Sequence, residues 1–452
     1  MRHVTSTLEF LLIAALAAQP AWAHQPAPAA DTPEQPADSP VEATDPESVT
    51  LAEKRGLHFN PFDYETAFSP GESETSPTVE MDEIGAPHTA LLNIPWLDAP
   101  FNAATKWLDR LDADTGLRLR FAATFVFQQA SGGPGDRSAG AGDIDIMAAW
   151  TLLGRGTLNT GRLIVTGEYR FKAGEVTPNA LRDEIGSLQR TAGGFNDRGW
   201  AQRDFHWVQR LFEGKLRLLV GRSDVSDYVG AHRLQSINNS FLNRQFSANS
   251  TTNFPAGHTA SAGLSVRPID EFYATGGIAN AYGSSTNANW DTIDEGDYFY
   301  FGEVGFTPTI DGLGSGRYAL FVWHMAERSL DNLPDDSGFS VILEQDITPN
   351  LHLFARYGWS DEGSTGIKSA GEGGIGYRGL FGSPDNLTGV AIGVSEPTNS
   401  DRRNETNVEA FQRFQLTQFS QLTLGIQGIF DPSNAPDDDA IAVFGLRLRV
   451  EF

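Results

Sequence analysis

Residues 440–452 read AIAVFGLRLRVEF. The even positions are Ala440, Ala442, Phe444, Leu446, Leu448, Val450 and Phe452, and the odd positions from Gly445 are Gly445, Arg447, Arg449 and Glu451. A β-strand turns successive side chains to opposite faces. One face of this strand is therefore apolar, and the other carries two arginines and a glutamate. An aromatic ring stands at its far end. This is the pattern of a transmembrane barrel strand, with apolar side chains toward lipid, charges toward a wet lumen and a ring at the interface.

The same alternation recurs upstream. Leu117, Leu119, Phe121, Ala123, Phe125 and Phe127 alternate with Arg118, Arg120, Ala122, Thr124, Val126 and Gln128. Leu163, Val165, Gly167, Tyr169 and Phe171 alternate with Arg162, Ile164, Thr166, Glu168, Arg170 and Lys172. Leu351, Leu353, Ala355, Tyr357 and Trp359 alternate with His352, Phe354, Arg356 and Gly358. Further strands are drawn near 203–212, 215–222, 271–279, 298–306, 317–327, 340–347, 371–378, 408–418 and 421–430. The stretch 317–327 is apolar on both faces, which leaves its register open. Turn clusters such as Ser131-Gly132-Gly133-Pro134-Gly135-Asp136 and Asp431-Pro432-Ser433-Asn434 separate the strands. The length from residue 116 onward accommodates about sixteen strands. The predicted fold is all-β, a closed antiparallel transmembrane barrel. Closure leaves no unpaired backbone edge in lipid.

Upstream of the barrel the text changes. Arg2, the apolar run Phe10 to Ala18 and Ala21-Trp22-Ala23 read as a secretory signal over 1–23. Residues 24–95 are acidic and rich in proline. From His24 to Asp114 there are eighteen acids and four basic residues, against a net charge of −25 for the chain. Such a composition is predicted to build no core of its own. The expectation is a mostly disordered periplasmic extension, dispensable for channel formation to about residue 89, with a docked piece near His58–Phe62. Residues 96–115 read as one amphipathic helix, with Ala103, Ala104, Trp107, Leu108 and Leu111 on one face and Asn102 as its N-cap. Residues 116–452 form the barrel.

Composition excludes several classes. No long uncharged apolar run follows the signal, which rules out a helical membrane protein. There are no cysteines, hence no disulfides and no thiolate site. The acidic balance argues against nucleic acid as a partner. No zinc-protease helix, phosphate-binding loop or nucleophile elbow is present. The run Gly371 to Gly379 (GEGGIGYRG) opens no helix and reads as a close-packed strand. Asp437-Asp438-Asp439 near Asp431 reads as an acidic hairpin loop rather than a calcium site, and His206, His324 and His352 as packed residues. No catalytic residue, metal or cofactor is expected.

What remains is the polar face of the strands. Arg120, Glu168, Arg170, Arg356, Arg378, Arg413 and Arg447 are the candidate pore-lining, substrate-binding residues read from this face. Charged rings at a constriction set selectivity. The guanidinium offers a fork of donors to neighbouring hydroxyls, and carboxylates accept from them. The competing reading is that these groups pair with one another across the lumen wall.

The segment 405–452, ETNVEAFQRFQLTQFSQLTLGIQGIFDPSNAPDDDAIAVFGLRLRVEF, resembles the C-terminal signature of the carbohydrate-selective porins of the OprB type. Gly376-Tyr377-Arg378-Gly379-Leu380-Phe381 before Asp385 to Gly389 is similar to the family's G-Y-x-G-L-F and D-x-x-G. Phe212 to Asp224 (FEGKLRLLVGRSD) looks like its G-K-L-x-x-x-V-G-R-x-D, which places Arg222 on a matched motif and by that resemblance adds it as an eighth candidate pore-lining, substrate-binding residue. Phe241-Leu242-Asn243 followed by Asn249 and Phe254-Pro255 looks like a further shared stretch. The resemblance implies a sixteen-stranded barrel of the bacterial outer membrane. Such a barrel passes monosaccharides and small sugars by diffusion through an eyelet of arginines, acids and aromatics. Its implied partners are sugars, outer-membrane lipid and lipopolysaccharide, in a monomer or trimer. The acidic extension and the loop at 173–200 depart from the family pattern. The alternatives are a general or organic-acid-selective porin and, from another class, an enzyme or adhesin on a barrel scaffold.

Overall fold

The computed structural model describes residues 67–287 and 289–452. The signal at 1–23, the extension as far as residue 66 and the docked piece at 58–62 lie outside the described residues. The wall is a meander of sixteen strands. They are β1 Leu117–Ala130, β2 Ser138–Leu153, β3 Gly161–Lys172, β4 Gly199–Leu211, β5 Leu216–Ser223, β6 Thr259–Ile269, β7 Phe272–Asn280 and β8 Tyr298–Phe306, followed by β9 Gly314–Met325, β10 Asp336–Thr348, β11 Leu351–Ser360, β12 Ile367–Arg378, β13 Leu387–Pro397, β14 Glu405–Gln415, β15 Ser420–Phe430 and β16 Ala440–Glu451. A two-residue strand, Thr309–Ile310, clips onto the base of β9. Each strand pairs antiparallel with its sequence neighbours. Pairing of β1 with β16, from Ala122↔Glu451 to Ala130↔Val443, closes the sheet.

The period-2 expectation holds along the wall. On β16 the apolar Phe444, Leu446 and Leu448 are exposed, while Arg447, Arg449 and Glu451 are buried inside. Phe127, Leu320, Val322, Ile392 and Leu424 continue an outward apolar belt round the sheet. Phe101, Phe121, Phe419 and Phe452 pack together at the rim where β1 starts and β16 ends. Phe125, Tyr169, Phe171 and Trp200 pack at the opposite rim. Two aromatic girdles flanking an apolar band are the outer-surface pattern of a barrel in lipid.

Two strands escaped the sequence reading, β2 and β6, and a third, β13, was marked only at its start, by the resemblance at Asp385 to Gly389. Each is built largely of small residues (SAGAGDIDIMAAWTLL, TASAGLSVRPI, LTGVAIGVSEP), so the size contrast between their faces is weak. The open register at 317–327 is settled by Arg317, Ala319, Phe321, Trp323 and Met325 pointing inward. Both faces are apolar because the inward one packs on Val225, Val229 and Phe254, which belong to a loop inside the barrel. The glycine-rich β12 is close-packed as expected, since a Cβ at Gly374 would stand 2.7 Å from the Phe354 ring and from Ala391.

Two expectations about the N-terminal region need correction. Residues 67–86 do not stay outside the barrel. They run through the lumen and contain a helix, α1 (Pro77–Ile84), capped by Ser76 and begun by Pro77. Phe68, Met81 and Ile84 pack on Ala122, Met147, Ile164, Val208 and Leu219 of the inner wall. The acids are held by wall arginines, Glu80 by Arg449 at 2.7 Å and Asp82 by Arg118 at 2.6 Å. A polar segment that cannot fold alone folds where a ready-made wall supplies its partners. The second correction concerns the helix before the barrel. That helix, α2, spans Pro95–Thr115, with Pro95 at its start, and Asn102 lies within it, donating from its side chain to the Asp98 carbonyl at 3.1 Å. The N-cap is thus misplaced, not the helix, which buries Leu108, half-buries Phe101, Ala104 and Leu111, and leaves Trp107 exposed.

The loops differ in length between the two rims. The rim carrying α2 and Phe452 has short turns, such as 212–215 and 349–350. The opposite rim carries the long connections 173–198 and 224–258, which fold inward. A short helix, α3 (Leu181–Ile185), lies in the first and another, α4 (Arg244–Ser247), in the second.

Candidate solute pathway in the barrel lumen

The lumen retains a cavity of about 570 Å³ between the wall, the two inward loops and the α1 segment. Its lining includes Glu168, Arg170, Arg198 and Arg203, together with Asp224, Asp227, Asn196, Asn253 and three further arginines, Arg182, Arg190 and Arg244. The chemistry is that of a polar channel: forked cationic donors, carboxylate acceptors and side-chain amides.

One part of the lining is a neutralised network. Arg170 meets Asp143 at 3.0 Å and pairs with Glu168, which also pairs with Arg198 and lies 3.4 Å from Arg203. Arg203 reaches Asp227 at 3.2 Å. A bulge in the β3–β4 register near Gly167 turns both Arg203 and Asp204 inward. Alternation alone would have sent Arg203 outward with Phe205, so Arg203 was not a sequence candidate. Asp143, Asp145 and Glu168 converge closely, but Asp143 and Glu168 are already met by arginines.

Of the eight residues read from the sequence, Glu168 and Arg170 line the cavity. Arg120 pairs with Asp109 of α2 at 3.0 Å, near the short-turn rim. Arg378 stands half-buried at the end of β12. The other four hold loop backbone, Arg356, Arg413 and Arg447 that of the inward loop 224–258 and Arg222 its last residue together with the 281–297 connection. Arg222 donates to the carbonyls of His258, Ser284 and Asn287 at 3.0, 2.7 and 2.7 Å. Arg356 donates to Gly230 at 3.2 Å and pairs with Glu372 at 2.6 Å. Arg413 reaches the Asn239 carbonyl at 3.1 Å, and Arg447 the Ile237 and Ser240 carbonyls at 2.6 and 3.0 Å. Acids do the same for the loop's amides. Glu409 accepts from Leu242 and Asn243, and Glu405 from Leu188 and Gln189 of the other loop. Buried backbone groups outside secondary structure need such partners.

The second part of the lining is not neutralised. The Arg244 amide donates to the Arg190 carbonyl at 2.8 Å, which joins the two inward loops and brings these residues together. Among the described residues, neither guanidinium forms an ion pair or a side-chain hydrogen bond. Burial, then Arg190, Arg182 and Arg356, push Arg244 down to about 9. A guanidinium stays protonated at neutral pH, so the effect is a patch of uncompensated positive charge. Sequence reading passed over Arg182, Arg190, Arg198 and Arg244 because loops carry no alternation to give them a face.

Comparison with known proteins agrees with this architecture. Residues 172–452 match the profile of the carbohydrate-selective porin, OprB family. Porin AaxA of Chlamydia abortus is 24% identical over 268 residues, 57% of this chain and 59% of that protein. Porin AaxA of Chlamydia pneumoniae is 23% identical over 278 residues, 58% and 61%. The matched region thus spans less than two thirds of either relative. The high-pH structure of Pseudomonas putida OprB superposes with a TM-score of 0.64 at 15% identity, covering 81% of this chain and 99% of that one, a likeness of fold. Family and fold are those of bacterial outer-membrane channels rather than of enzymes. With the profile matching well over half its length, the chain belongs to the carbohydrate-selective porin, OprB family.

Proposed function

We propose that this protein is an outer-membrane porin that lets monosaccharides and other small sugars diffuse into the periplasm. The observation that carries this reading is the polar cavity of about 570 Å³ left inside a closed, lipid-facing wall. Its arginines, carboxylates and amides exchange readily for the water shell of a polyhydroxy solute. Each such hydrogen bond is worth about 0.5–1.5 kcal/mol net, weak enough for the solute to leave again. The wall contacts outer-membrane lipid and lipopolysaccharide, and the working unit is a monomer or a trimer. The channel performs no chemistry on its solute. The test is the purified protein in planar bilayers and proteoliposomes. Glucose should reduce the ionic current in a saturable way, and proteoliposomes loaded with an impermeant polymer should swell when placed in isotonic glucose. A channel whose current sugars never reduce is a general porin, and the carbohydrate reading falls.

A further inference from the structure

We propose that Arg190 and Arg244 form an oxyanion subsite in the lumen, so that the channel favours sugars bearing a carboxylate or phosphate over neutral sugars. The inference rests on the lumen being the solute path and goes beyond it by naming the charge of the preferred solute. The two residues come from different loops and are held together by the Arg244 N–H to Arg190 carbonyl bond of 2.8 Å. Both line the cavity. The Arg190 Nε is buried without a partner in the protein. Arg182, on the same lining, adds a third cation; its own acid, the exposed Asp183, lies at 3.2 Å.

The acids on the lining cannot neutralise this patch, because they are engaged elsewhere. Glu168 is held by Arg170 and Arg198, Asp227 by Arg203 and Thr75, and Asp224 by Ser226. The chain as a whole is acidic, at −25, so an uncompensated pair of guanidiniums in its lumen runs against the general charge. Two forked donors lining one cavity match the oxygens of a carboxylate or phosphate. Asn196 Oδ1 and Asn253 Nδ2, also on the lining and unpartnered in the protein, supply an acceptor and a donor for the hydroxyls of the same solute.

The test uses the full-length channel in planar bilayers at low salt, with glucose, gluconate and glucose 6-phosphate as blockers. Gluconate or glucose 6-phosphate should block at about tenfold lower concentration than glucose, the worth of one charge-assisted hydrogen bond. A larger effect of the phosphate ester assigns the site to phosphates, and a larger effect of gluconate to carboxylates. The double substitution Arg190→Gln, Arg244→Gln should abolish the preference, so that gluconate and glucose 6-phosphate block no better than glucose does in the same variant, and it should leave the folded barrel intact, since neither side chain braces the fold. Equal block by all three solutes in the unmodified channel overturns the inference, and needs no variant to fold. So does a preference that survives the double substitution. Glucose block without an anion preference sinks the subsite and leaves the porin reading standing. Absence of block by every solute sinks both.

Discussion

At the scale of single residues, the two faces of β16 fail for different reasons when altered. Leu446 is exposed on the outer face, paired across the closure with Phe127 and across the other edge with Leu424. Leu446→Arg should cost about 2–4 kcal/mol if the position lies near the bilayer midplane. Arg447 lies one residue on and is buried on the inner face. A sequence reading treats that face as wet and tolerant. In the structure its guanidinium satisfies two loop carbonyls, so Arg447→Leu should cost about 1–3 kcal/mol by leaving them unpaired. Heat-modifiable gel mobility, followed as a function of denaturant, separates the two. Leu446→Arg should lower the yield of folded barrel. Arg447→Leu should fold and melt earlier, with noisier current from a loosened loop. Equal loss of the folded band in both would contradict the assigned faces.

At the scale of elements, the lumen is filled by three segments that the wall holds in place. Two are the inward loops and the third is residues 67–86. The last buries Phe68, Val79, Met81 and Ile84 and places Glu80 and Asp82 on wall arginines. Burying one such apolar side chain is worth about 1.5–3 kcal/mol before the entropy of ordering the chain is subtracted. Deleting 67–86 should therefore lower the stability of the folded barrel by an amount on the order of a few kcal/mol. It should also raise single-channel conductance, because Thr75 lines the cavity. Unchanged conductance and unchanged melting on deletion would restore the view of the acidic stretch as a dispensable appendage.

At the scale of the whole molecule, the asymmetry of the rims predicts orientation. Outer-membrane barrels keep short turns at the periplasmic side and long loops outside. The α2 rim, with the turns at 212–215 and 349–350, should thus face the periplasm. An epitope inserted in the 326–335 connection should be labelled on intact cells, and one at 349–350 only after permeabilisation. The reverse pattern would invert the assignment and put α2 at the cell surface.

The wall of this protein was legible in the amino-acid sequence, and the contents of the wall were not. Alternation on β1, β3, β11 and β16 named the inner and outer side chains correctly. A strand's period of two is a local property, and lipid on one side forces it into the text. The length of chain set the number of strands, and the C-terminal signature named the family. Composition named the charge of the N-terminal region but not its place. A stretch with too little apolar area to fold alone can still fold inside a lumen that presents Arg118, Arg449 and an apolar inner patch. The candidate site divided in the same way. Glu168 and Arg170 were found because they alternate. Arg203 was hidden by a bulge, and Arg190 and Arg244 by the absence of any period in loops. Arg356, Arg413 and Arg447 were placed on the correct face and Arg222 was picked out by its motif, yet the partners of all four include loop carbonyls far away in sequence. Which of these inward charges brace the loops and which remain open to solute depends on hydrogen bonds closed across the barrel, and only the tertiary structure decides those.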